Sequence, residues 1–186
     1  MEIYPHRAKM FLREAKDALE RLKKGKDADD IRRALISFLN ATKHSIHQLQ
    51  TDFRKKLLDF DEWYTPQREF LENNELCSFF WELRNRVTKE GKEVLKMKEL
   101  KMNFSPGFSF SMKGPLQMGP NMGVSVKAPK GEKHEWQPKK DIPGLRLETS
   151  WEFLDYPAQD PVELCNRYLS LLEGIVDSFV NRFTTK

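Results

Sequence analysis

Apolar residues recur at helical spacing through the first ninety residues, alternate in the middle, and return to helical spacing at the end. Ala8, Phe11, Leu12, Ala15, Leu19 and Leu22 follow the i, i+3, i+4, i+7 pattern of one helical face. They predict a first helix from Pro5 to Lys24, stopped by Gly25, with Lys23 and Lys24 at its negative end. A stripe of Ile31, Leu35, Phe38, Thr42, Ile46, Leu49, Phe53, Leu57 and Phe60 predicts a long second helix of about eight turns. Asp27 or Asp29 caps it. Thr65-Pro66 reads as a cap followed by a first-turn proline, opening a short third helix that carries Phe70 and Leu71. Asn73-Asn74 ends it and caps a fourth, from Glu75 to Glu90.

The fourth helix has a main apolar face of Leu76, Phe79, Phe80, Leu83 and Val87. A second line, Cys77, Trp81, Arg84 and Thr88, lies roughly 80 to 140° around it at about 100° per residue. Cover on two sides is therefore expected, from the bundle itself or from a partner chain. The last helix opens with Asp160 as cap, Pro161 as first residue and Glu163 completing a capping-box-like pattern. Its apolar face is Val162, Cys165, Leu169, Leu172, Val176, Phe179 and Phe183.

Between Asn103 and Ser150 lie six of the nine glycines and six of the ten prolines. Alternation at Phe108, Phe110 and Met112, at Met122, Val124 and Val126, and at Leu145, Leu147, Thr149, Trp151 and Phe153 predicts about three antiparallel strands. Gly114-Pro115 and Gly119-Pro120 are turn signals. The stretch from Val94 to Met102 fits either a longer fourth helix or another strand. The expected fold is mainly α: an up-and-down bundle of four to five helices with a small antiparallel β insertion before the C-terminal helix. Within a single domain of 1–186, the bundle takes 1–92 and 158–186 and the β-rich insertion takes 103–153.

Composition agrees with a chain that folds. Charged residues make up 32%, but 13 Phe and 4 Trp supply large apolar surfaces. A net charge of +4 permits contact with an anionic partner without demanding one. Cys77 and Cys165 fall among apolar neighbours, as buried reduced thiols of a reducing compartment do. The segment Met1–Lys24 is charged throughout and no run approaches the roughly 20 apolar residues of a membrane span, so a cytoplasmic chain without membrane contact is expected.

Candidate chemistry is sparse. No Gly-rich phosphate loop, GxSxG element or Cys/His cluster is present, and neither cofactor nor metal is expected. His44 and His47 have the i, i+3 spacing of a metal pair but lie off the apolar stripe, as exposed histidines do. Lys127, Lys130, Lys133, Lys139 and Lys140 around Trp136 have the makings of a single-strand nucleic-acid contact. Glu132, Glu135 and Asp141 dilute that field, and a solvated loop is the expectation. Met97, Met102, Met112, Met118 and Met122 cluster around the sheet and are expected to fill a small core.

The segment Phe79-Phe80-Trp81-Glu82-Leu83-Arg84-Asn85-Arg86-Val87-Thr88-Lys89-Glu90-Gly91, preceded by the long second helix and Trp63-Tyr64, resembles the HEPN superfamily of helical-bundle proteins. In that family an aromatic-rich helix carries an Arg-Asn pair and, five residues after the arginine, a histidine that often opens a His-Glu-Gly string. Leu83-Arg84-Asn85 and Glu90-Gly91 match, and Lys89 occupies the histidine position. The resemblance covers residues 5–92 and the closing helix, and leaves out the insertion. It implies a dimer with a composite site for RNA or a nucleotide, with Arg84, Asn85 and Lys89 as candidate site residues and Arg84 and Lys89 as the ligand-binding pair. It also implies a setting in defence or toxin–antitoxin biology. An arginine there holds phosphate and stabilises developing charge, and a histidine moves protons near neutral pH. A lysine of ordinary pKa, near 10.4, stays protonated and binds phosphate without acting as a base. The expectation is a non-catalytic or weakly active binder of RNA or a nucleotide, any activity being that of a metal-independent ribonuclease, homodimeric through the Cys77/Trp81 face. Two alternatives stand beside it. Arg84 and Asn85 equally fit a role tying the helix to nearby carbonyls and carboxylates, and the whole chain equally fits a protein–protein interaction module.

Overall fold

Five helices account for the ends of the chain, and the computed structural model describes residues 3–25, 27–104, 108–113, 124–127, 133–136, 145–155 and 159–184. Helix α1 runs His6–Lys24 and buries Ala8, Leu12, Ala15, Ala18, Leu19 and Leu22. Gly25 closes it: a Cβ there would stand 2.5 Å from Ile31 Cγ1, so the chain passes close beneath the next helix only without a side chain. Helix α2, Ala28–Phe53, starts at the expected cap, where the Asp27 carboxylate accepts from Asp30 N–H at 2.8 Å. Helix α4, Glu75–Lys89, is capped by Asn74, whose side chain accepts from Cys77 N–H at 3.1 Å. Gly91, at φ 63, turns the chain out of α4 in a conformation that favours glycine, and Lys92 N–H bonds back to the Arg86 carbonyl. Helix α5 runs Pro161–Phe183, beginning at the expected proline.

The stripe read as one helix from Ile31 to Phe60 is two helices. α2 ends at Phe53, residues 54–59 turn, and helix α3 runs Phe60–Asn73. Thr65-Pro66 is therefore inside α3 and not its start. The Thr65 hydroxyl donates to the Asp61 carbonyl at 2.7 Å, and exposed Pro66 forgoes only a bond on the solvent side. Tertiary packing accounts for the break. Phe60 is fully buried, stacked on Tyr64 and edge-on to Trp63 and Phe179, and Phe179 also meets Phe53 at 4.7 Å. The Trp63 indole N–H donates to Ser178 at 3.1 Å. Folding the apolar end of the stripe back against α5 buries aromatic rings worth about 1.5 to 3 kcal/mol each. Leu58, at the turn, is 102% exposed.

The contacts divide the chain into two compact units, Met1–Val94 with Pro161–Lys186, and Leu95–Asp160. In the first, α1 packs along α2, α5 against both, and α4 against α2, α3 and α5. This is the mainly helical bundle expected.

The second unit holds strands β1 (Leu95–Phe104), β2 (Phe108–Lys113), β3 (Val124–Lys127), β4 (Lys133–Trp136) and β5 (Leu145–Phe153). A three-stranded antiparallel sheet is present in the order β2-β1-β5, but its central strand comes from the stretch the periodicity left open. The reason lies in parity: apolar alternation in β1 shifts between Met97 and Leu100. A bulge between Met97 and Glu99 absorbs the shift and keeps β1 in register with the unbroken alternation of β5. Lys96 faces Glu152 across the ladder at 3.0 Å. β3 joins not this sheet but a two-stranded ladder with β4. Part of the lysine-rich segment expected as a loop, Lys133–Trp136, is thus a strand, while Lys130, Lys139 and Lys140 lie outside the described residues. So do Met118, Met122 and both Gly-Pro turns, whereas Met97, Met102 and Met112 lie in β1 and β2.

Candidate ligand-binding cleft

Helices α2, α3, α4 and α5 enclose a cleft of about 540 Å³, within the roughly 300 to 1,000 Å³ of small-ligand sites. Its floor is made of buried side chains: Leu39 and Thr42 from α2, Tyr64 from α3, Cys77 and Phe80 from α4. Tyr168 and Leu172 of α5 complete it, with the Tyr168 ring stacked on Phe80 at 4.4 Å and 8°. Burial pushes the Tyr64 and Tyr168 phenols up and the Cys77 thiol up to about 11, so all three stay neutral. Such a floor is apolar and of low dielectric.

The mouth carries charge. Lys43 and His47, one turn apart on α2, both line the cleft, and Arg84 of α4 lines it opposite them. Trp81 stands beside these groups, 61% exposed, with Lys43 Nζ 5.4 Å from its ring centroid. Burial, then Arg84, then Lys89 hold the Lys43 ammonium below the ordinary lysine range, and no carboxylate offsets them. Lys89, the last residue of α4, is exposed and does not line the cleft, yet its charge reaches Lys43.

How Arg84 is held bears on its role. Among the described residues its side chain makes no hydrogen bond or ion pair, and Nε is buried without an acceptor. A helix-tying arginine would show such bonds, and a buried N–H without one costs about 1 to 3 kcal/mol. Some other arginines in the unit find carboxylates, Arg7 with Asp52, Arg54 with Asp61 and Arg68 with Glu72, and Arg32 donates instead to the Gly91 carbonyl. Glu72 and Glu82 also line the cleft, the first committed to Arg68 and neither paired with Lys43 or Arg84. Asn85 is half-buried and outside the cleft lining.

The structure thus brings Arg84 together with Lys43, His47 and Trp81. Sequence periodicity missed Lys43, whose signal is its position, one turn before His47 on the side of α2 that α4 covers. Of the pair expected to form a dimer face, Trp81 is exposed but Cys77 is 5% exposed, buried in the floor of its own unit. Both histidines are exposed, as expected, and they part company. His47 faces Thr51, whose hydroxyl lies 3.4 Å from Nδ1. His44 leans on Phe11 at 5.3 Å and lines a second cleft, about 360 Å³, with Glu14, Asp17, Arg21, Ser37 and Asn40. Among the described residues no group of three or more His, Cys, Asp or Glu is placed to hold a metal ion, and no helix is long and apolar enough to cross a membrane. Neither known family models, nor characterised proteins, nor solved structures match this chain.

Proposed function

We propose that the helical unit binds RNA or a nucleotide through phosphate at the mouth of this cleft, with Arg84 and Lys43 as direct contacts and Lys89 adding to the field. The observation that carries this is Arg84 itself: a guanidinium at the rim of a cleft, beside a second cation, with no partner among the described residues. Two cations with no carboxylate paired to them, above a low-dielectric floor, favour an incoming anion. Arginine offers phosphate a bidentate fork, and lysine a point charge. The proposal keeps the anion site implied by the HEPN resemblance and extends it to α2. With lysine in the histidine position, binding is expected without metal-independent cleavage of RNA. A titration of labelled single-stranded RNA tests the proposal. Affinity should fall linearly with the logarithm of salt concentration as counterions are released. No binding at low salt would overturn it and favour the interaction module.

A second reading has support in Trp81, whose exposure suits a contact between two copies related by a two-fold axis. Light scattering at micromolar concentration decides it: a dimer that Trp81→Ala dissociates supports this use of α4, and a monomer removes it.

A further inference from the structure

We infer that the cleft beneath Lys43 and Arg84 takes the base of an unpaired nucleotide, so that the ligand is a mononucleotide or a single strand and not a duplex. The inference rests on the phosphate-binding reading above and gives the apolar cleft a role in it. A site for phosphate alone needs donors and charge, whereas here the cations sit over a cleft far larger than a phosphate, with a floor of aromatic and aliphatic side chains.

The lining selects among apolar bodies. Trp81 at the rim, 61% exposed, offers a ring for stacking, above a floor that includes the buried rings of Phe80, Tyr168 and Tyr64. Between them lie polar groups able to meet the edge of a heterocycle: His47, Gln50 and the neutral phenol of Tyr64. An acyl chain would leave those groups unmatched, whereas a base uses both the stacking surface and the donors and acceptors. The Lys43 ammonium lies over the Trp81 ring, so a base at this rim brings its phosphate within reach of Lys43 and Arg84. A base still stacked in a duplex cannot enter a cleft between helices, whereas an unpaired one can.

The test compares ribose 5-phosphate with adenosine and uridine 5′-monophosphates on the full chain, by calorimetry at low salt. At least one nucleotide should bind roughly tenfold or more tightly than ribose 5-phosphate, the gain a stacked base brings. Trp81→Ala should remove most of that gain, bringing the nucleotide affinities down towards that of ribose 5-phosphate. Ile46→Phe, which narrows the cleft from α2, should act in the same sense. Equal affinity for all three ligands would overturn the base site while leaving the phosphate reading intact. Tighter binding of an RNA duplex than of a single strand of equal length would also overturn it. No binding of any phosphate ligand, oligonucleotides included, would overturn both. A Trp81-dependent dimer that binds nucleotides no better than ribose 5-phosphate would assign the ring to self-association and overturn the inference.

Discussion

The two clefts that flank α2 share that helix and divide its histidines, but they settle their charges differently. In the cleft against α1, Glu14, Asp17 and Arg21 put both signs together around His44. The cleft against α3, α4 and α5 also holds both signs, but there Glu72 is paired with Arg68, while Lys43 and Arg84 have no carboxylate paired to either among the described residues and the floor beneath them is apolar. Opposite charges side by side largely cancel in water, whereas like charges on a low-dielectric wall add. The difference teaches that position along a helix says less about chemistry than what the neighbouring helices bring to each face.

The strongest way to break this comparison is to reverse the sign of one mouth. Lys43→Glu with Arg84→Glu should weaken RNA or nucleotide binding by about 100-fold or more, since each charged hydrogen bond to phosphate contributes about 1.5 to 3 kcal/mol. Arg21→Glu in the other cleft should leave affinity within about twofold, its charge being one of a mixed set. Fluorescence anisotropy at low salt reads both. Equal losses from the two clefts would mean that net charge, not the site, governs binding.

The low-dielectric floor can be read from Cys77. Burial moves its thiol from 9.0 to about 11, so at pH 8 the reactive thiolate is depleted roughly 100-fold. Alkylation of the folded protein should be slower than that of the unfolded chain by at least this factor and should quicken as pH rises towards 11. A fast-reacting Cys77 at pH 8 would mean a wet floor.

Smaller effects sharpen the picture at Lys43. Lys43→Ala should cost roughly tenfold in affinity at low salt and lower the salt slope by about 0.7, the release expected for one single-strand phosphate contact. Arg84→Ala should let the Lys43 pKa rise, because removing a neighbouring cation favours the protonated amine. The sign for stability follows. A lysine held below its ordinary range binds fewer protons folded than unfolded, so its penalty on folding fades as pH climbs from the lowered value towards 10.5. A lysine-selective NMR titration of wild type and variant should show the upward shift.

Much of the fold was legible in the periodicity, because helices in a bundle are selected by one face. The caps Asp27 and Asn74, the first-turn proline Pro161 and the stop at Gly25 each act through a local rule. The break between Phe53 and Phe60 was not legible, because no glycine or proline marks it. The aromatic packing of Phe60 and Trp63 on Phe179 of α5, more than a hundred residues away, decides it. β1 hid for a different reason: a bulge changed the parity that an alternation count relies on. At the site, Arg84 could be picked out from its motif, but Lys43 could not, since only the packing of α4 on α2 gives that lysine its neighbours.

Arg84→Ala, followed side by side in thermal melting and in RNA titration at low salt, tests the central claim most directly. An arginine kept for its ligand predicts binding weakened at least about tenfold with a melting temperature unchanged or raised, since no hydrogen bond or ion pair is lost with it and a buried N–H without an acceptor is removed. Unchanged binding with a melting temperature lowered by several degrees would contradict the claim and return Arg84 to the framework of the bundle.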